Sequence, residues 1–151
     1  MKTVSTRRAA LAATGIGAMG AAFASRMNAA EMSATEKANL QVVNDFCASW
    51  PGHDAAKIMS FFAENCAYRM TETIEPNKGR EAVAARVAGL APNVQGFEVK
   101  DSWARGPMVI NERIDRFSSG TLKTWHGVGV FFLKEGKIVE WYDYTIAMER
   151  R

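Results

Sequence analysis

The sequence predicts an α+β domain, in which a strongly curved antiparallel or mixed β-sheet packs against three N-terminal helices. Three observations carry the prediction. Apolar residues recur at three- and four-residue spacing as far as Leu90 and alternate with polar ones after Pro92. The alternating runs are joined by short Gly- and Ser-containing connections of the hairpin kind. Finally, 151 residues with 48% hydrophobic and 23% charged side chains suffice for one domain with one core.

Ser33 and Glu36 form a capping box, in which each side chain can satisfy the other's free backbone N–H. Leu40, Val43, Phe46, Cys47 and Trp50 then share one helix face, and Pro51-Gly52 stops the helix. Asp54 caps a second helix over Ala55–Phe62, with Ile58, Phe61 and Phe62 turned inward. Cys66–Thr73 alternates as a strand, Pro76-Asn77-Lys78-Gly79 turns the chain, and Glu81–Leu90 forms the third helix. Four strand patterns complete the chain: Gln95–Arg105, Met108–Phe117, Leu122–Leu133 and Lys137–Met148. Helices followed by such a meander define the class, and a sheet curved over helices leaves a conical cavity.

The first thirty residues read as an export signal. A basic start (Lys2, Arg7, Arg8) precedes a weakly apolar Ala/Gly stretch and two small-residue cleavage sites, ending at Ala24 and Ala30. The adjacent Arg7-Arg8 gives it the twin-arginine form, so the expected location is periplasmic or secreted, with no membrane span in the remaining chain. This segment also explains the overall charge. The full chain carries 19 basic and 16 acidic residues, a net +3, but Lys2, Arg7, Arg8 and Arg26 fall in the signal, where there is no acid. Residues 31–151 therefore hold 15 basic and 16 acidic side chains, a net −1, with no Lys/Arg run to follow a phosphate backbone. No nucleic-acid partner is expected on that ground.

The chemistry-bearing residues lie on two strands. Alternation puts Arg113, Asp115 and Phe117 on one face of their strand, and Val139, Trp141 and Asp143 on one face of theirs. The aromatic faces are the buried ones, so two carboxylates and a guanidinium point inward, an arrangement that is tolerable if Arg113 bonds to both acids. Two carboxylates in unequal surroundings can serve as acid and base; the same trio could equally be an ion network that fixes sheet register.

The stretch from about Val42 to Tyr144 resembles the limonene-1,2-epoxide hydrolases. These belong to the cone-shaped superfamily that includes nuclear transport factor 2, ketosteroid isomerase and the SnoaL-like cyclases. The resemblance is carried by His53–Lys57 through Phe62-Ala63-Glu64, Tyr68, Gly79–Val83, Glu112-Arg113-Ile114-Asp115, Gly129-Val130-Phe131 with Glu135–Ile138, and Trp141-Tyr142-Asp143-Tyr144. It implies one-step hydrolysis of a small apolar, terpene-like epoxide, with no metal or organic cofactor and with water as the second substrate. In that reading Asp143 is the general base, Asp115 the general acid, Arg113 the bridge between them, and Tyr68 a holder of the attacking water. The family places a second water holder, an asparagine, two residues after that tyrosine. This chain has Met70, whose thioether is a weak acceptor, and Glu72 is the nearest candidate to replace it. By the same matching, the pocket wall includes Cys47, Trp50, Phe117, Trp125 and Thr145, and a homodimer forms through the outer sheet face at Ile110, Ile114, Tyr142 and Tyr144.

Some residues have other readings. An oxidising compartment permits a Cys47–Cys66 disulfide, although both also suit small buried positions. His126 is out of phase with Trp125 and so faces away from the cavity, and His53 belongs to a solvated loop. Two alternatives to hydrolysis stay open: an isomerase or epoxide cyclase using one carboxylate as base, and a non-catalytic small-molecule binding protein, which Met70 would suit.

Overall fold

A computed structural model describes residues 31–151. The expected export signal, with its arginine pair and both cleavage sites, lies outside the described residues. Helix α1 (Ala34–Ser49) starts at the predicted capping box: Ser33 N–H donates to Glu36 Oε2 at 2.7 Å, and Glu36 N–H to Ser33 Oγ at 3.2 Å. A 3-10 turn over Trp50–Gly52 follows, then α2 (Ala55–Met59), capped by Asp54. Strand β1 is Phe62–Arg69, β2 is Asn77–Lys78, and α3 is Arg80–Leu90. The meander is β3 (Val94–Arg105), β4 (Met108–Phe117), β5 (Leu122–Lys134) and β6 (Lys137–Arg150).

The strands form a single six-stranded sheet in the order β2-β1-β6-β5-β4-β3. All neighbours run antiparallel except β1 and β6, which are parallel, so the sheet is mixed. The parallel pairing corrects two predicted elements. Phe62 does not end the second helix; it starts β1 opposite Ile138, and Ile138 N–H donates to Phe61 C=O. Tertiary pairing overrides the helical pattern there. The strand also ends at Arg69, so Thr71–Thr73 form a bend and turn in place of the strand expected to reach Thr73.

Register shifts within β3/β4 and β5/β6 bend the sheet over the helices, because each adds a residue to one strand and raises the local twist. The shift near Leu133 also moves Ile138 into the core and leaves Val139 half-buried, a correction to strict alternation. At the β5–β6 turn, Glu135 (φ 51°) and Gly136 (φ 71°) are both left-handed, the backbone that a tight hairpin of native twist requires.

Helix α1 packs on β3 and β4, and α3 on β1. Phe46 sits at the centre, edge-on to Trp50, Phe61, Phe62, Phe131 and Trp141 at centroid distances of 5.1–5.9 Å. Cys47 and Cys66 are both buried and both free, so no disulfide joins them. Among the described residues, no helix is long and apolar enough to cross a membrane.

Candidate active site

Strand β4 contributes Asn111, Arg113 and Asp115 to the concave face, and β6 contributes Trp141 and Asp143; all are buried. Arg113 is the hub. Its Nε donates to Asp115 Oδ1 and its Nη2 to Asp143 Oδ1, both at 2.9 Å, and its Nη1 to Asn111 Oδ1 at 3.2 Å. The guanidinium lies 4.8 Å from the Phe97 ring centroid, 4.9 Å from Trp125 and 5.4 Å from Trp141. These rings exclude water from the guanidinium while still stabilising its charge.

The two acids have unequal support. Asp143 Oδ1 also accepts from Trp141 Nε1 at 2.7 Å, and a hydrogen bond from Tyr68 favours its ionised form as well. Asp115 has only Arg113 among the donors that favour its charge. Burial pushes both carboxyls up, Asp115 to about 7 and Asp143 to about 6, and Arg113 reverses only part of the rise. Asp143 is therefore the acid that ionises more readily. Burial alone would lower Arg113, but the two carboxylates hold it above its ordinary value. Tyr68 is buried, stacked on Trp141 at 3.9 Å, and pushed well above its usual range by burial and by the Asp143 charge, so its hydroxyl stays protonated.

A cavity of about 380 Å³ opens onto this cluster. Its lining grades from buried to exposed: Tyr68, Asp115, Trp125 and Asp143 are buried, Met70, Thr71, Phe97 and Phe117 half-buried, and Thr73, Thr121, Met148 and Arg150 exposed, so the acids mark its deep end and Arg150 its outer one. A larger hollow of about 680 Å³ lies between the start of α1 and the β3–β4 and β5–β6 turns. It holds none of the paired inward charges, so its size gives it no chemical priority.

The structure thus gathers Asp143, Asp115, Arg113, Tyr68, Met70, Phe117 and Trp125 at one cavity. It places three other candidates elsewhere. Trp50 packs in the core against Phe46, Phe97 and Trp141. Cys47 accepts from Asn111 Nδ2 at 3.3 Å and borders a separate shallow hollow beside β3; burial raises its thiol to about 12, so it stays neutral. Thr145 does not line the cavity; it accepts from Trp125 Nε1 at 3.0 Å, which fixes that ring. Glu72 is also no water holder: it is exposed in the turn after β1 and accepts from Thr145 N–H. The thioether of Met70 accepts instead from Arg86 Nη2.

Two features escaped sequence reasoning. Asn111 shares the Arg113 face by the alternation already used, but an amide carries no charge to attract notice. Gly127 and Gly129 lie on the same inner face of β5. A side chain at 129 would collide with Arg113 Nη1, and one at 127 with the Trp125 ring and the Tyr144 carbonyl. Bare backbone here makes the space that the guanidinium and the indole occupy. His126 faces outward and bonds Glu112 at 2.7 Å, while His53, exposed in its loop, reaches the Ala91 carbonyl. Among the described residues, no group of three or more His, Cys, Asp or Glu is placed to hold a metal ion.

Solved structures with this architecture include an epoxide hydrolase from M. tuberculosis described as like the limonene epoxide hydrolases. It is 23% identical, with TM-score 0.64, over 74% of this chain and 84% of that one. An epoxide hydrolase/cyclase-like enzyme of pyran ring formation in the polyether salinomycin is 20% identical, with TM-score 0.68, over 73% and 92%. An NTF2-like protein of unknown function from Mesorhizobium loti is 19% identical, with TM-score 0.63, over 77% and 97%. At these identities the shared property is the cone fold. The family match reaches further: residues 43–141 fit the SnoaL-like domain, from Val43 within α1 to Trp141 on β6, and the chain belongs to that family.

Proposed function

We propose that this protein opens a small epoxide by adding water in one step, as a hydrolase of the limonene-1,2-epoxide type. The observation that carries the reading is the asymmetry of two buried acids joined by one arginine, and their unequal rise lets Asp115 keep a proton where Asp143 ionises. Asp143, its Oδ1 taken by Arg113 and Trp141, accepts the water proton. The water oxygen forms a bond to one oxirane carbon as the C–O bond of that carbon breaks. The electron pair of the broken bond passes to the ring oxygen, which takes the Asp115 proton. A diol leaves, and the proton now on Asp143 returns to Asp115 through solvent. Arg113 stays charged throughout and spreads the changing charge between the two acids.

The active form holds one proton on the pair, so rate against pH follows a bell. It rises as Asp143 ionises near about 6 and falls as Asp115 ionises near about 7, with both limbs belonging to the pair. The direct test is product analysis in ¹⁸O-water with a panel of terpene and cycloalkene epoxides, comparing the parent protein with Asp143→Asn. One labelled hydroxyl per diol is expected, with a loss on the order of 10²–10⁴ in the variant. Undiminished turnover in Asp143→Asn would sink the mechanism.

Met70 favours a second reading on the same machinery. A thioether holds water poorly, so a hydroxyl of the substrate itself could be the nucleophile and a cyclic ether the product. An unlabelled cyclic ether from a hydroxy-epoxide distinguishes the two. Export through residues 1–30 and self-association through the outer face around Ile114, Tyr142 and Tyr144 belong to the same proposal, checked by fractionation and by sedimentation.

A further inference from the structure

Charge is distributed unevenly along the cavity. With one proton on the acid pair, Arg113 and the remaining carboxylate cancel, and the deep end is neutral. Apart from Asp115 and Asp143, the one charged residue lining the cavity is Arg150, the last residue of strand β6. Among the described residues no carboxylate pairs with it: neighbouring Glu149 is taken by Lys123 at 2.7 Å. Three threonines, Thr71, Thr73 and Thr121, add hydroxyls along the same lining.

Two further cations reinforce the sign. Arg151 clamps the β4–β5 connection, donating to the carbonyls of Phe117, Gly120 and Leu122, so its positive charge is fixed beside Arg150. Arg86 approaches from α3 behind Met70, giving Nη2 to the thioether, and its Nε is buried without a partner. A guanidinium with so poor a set of acceptors keeps its potential for whatever enters the cavity. A purely apolar epoxide would use none of this.

We propose that the substrate is an epoxide carrying a carboxylate, with the oxirane against Asp115 and Asp143, an apolar stem along Phe97, Phe117 and Met148, and the carboxylate on Arg150. The assignment of the oxirane end rests on the epoxide-opening reading above; the carboxylate end does not. Carboxylate and guanidinium are matched in charge and in planar, two-point hydrogen bonding.

The test uses medium-chain ω-epoxyalkanoates against ω-epoxyalkanols of equal length, with the parent protein, Arg150→Gln and Arg150→Lys. The acid is expected to exceed the alcohol in kcat/KM by about fivefold, the scale of one accessible ion pair. Arg150→Gln should abolish the preference, Arg150→Lys should retain part of it, and added salt should shrink it. A second readout, quenching of tryptophan fluorescence by octanoate and by octanol, needs no turnover. Octanoate binding that depends on Arg150 in a protein that opens no epoxide would support the carboxylate site and reject the reaction. Equal rates on acid and alcohol, or a preference indifferent to Arg150→Gln, would overturn the carboxylate site and leave the reaction standing.

Discussion

Arg113 and Arg116 stand three residues apart on β4 and both bond carboxylates, on opposite faces of one sheet. Arg116 pairs with Glu98 where the two side chains are 51% and 44% exposed. Glu98, bonded by Lys100 and Arg116, has its carboxyl held below the usual range. Arg113 is fully buried, and its two acids lie above theirs although each accepts a 2.9 Å bond from it. The ion pairs are chemically alike; hydration sets the direction. In water an arginine simply favours the anion, whereas in the core the lost hydration exceeds what the arginine returns. A carboxyl that can hold a proton near neutral pH is useful for acid catalysis, and only the buried face provides one.

The comparison breaks most severely at Arg113. Arg113→Ala leaves two buried carboxyls without their shared cation, and the expected cost is about 3–5 kcal/mol by chemical denaturation. Next is Gly129→Ala, where the added methyl contests the position of Arg113 Nη1, Asn111 Oδ1 and the Phe131 ring. Overpacking there should cost about 1–3 kcal/mol and depress turnover more than the same change at exposed Gly136.

A pH series sharpens the contrast between the faces. Asp115 and Asp143 bind protons more tightly folded than unfolded, so their contribution to stability is full below their ordinary value of 3.8. It is lost as pH rises through about 6 and 7. Glu98 and Glu149 have the opposite sign and act only as pH falls below about 4.5. The melting temperature is therefore expected to fall from mildly acidic to neutral pH, and Asp115→Asn should flatten that slope. A flat profile in the parent protein would contradict the burial argument. The smallest effect belongs to Arg116→Ala, expected to change stability by less than about 1 kcal/mol.

Much of the site was legible because β-strands alternate. Arg113, Asp115 and Phe117 could be placed on one face by counting, and so could Trp141 and Asp143 across a different strand. Tyr68 was legible only through the family resemblance, since nothing in Cys66–Arg69 singles it out. Trp50 and Cys47 came to the pocket wall through the family matching alone; the apolar helix face that carries them says only inward, and inward can mean core or cavity. Counting failed at Val139, where a register shift substitutes Ile138.

The amino-acid pattern alone determined the α+β class, the capping box at Ser33, the hairpins and the inward face of β4, because each depends on neighbours within a few residues. Tertiary structure alone decided that β1 runs parallel to β6, that Gly129 leaves room for the guanidinium, and that Asp143 receives more donors than Asp115. Those depend on which distant segments meet: the donors that separate the two acids, Tyr68 and Trp141, come from β1 and β6, while Arg113 of β4 serves both.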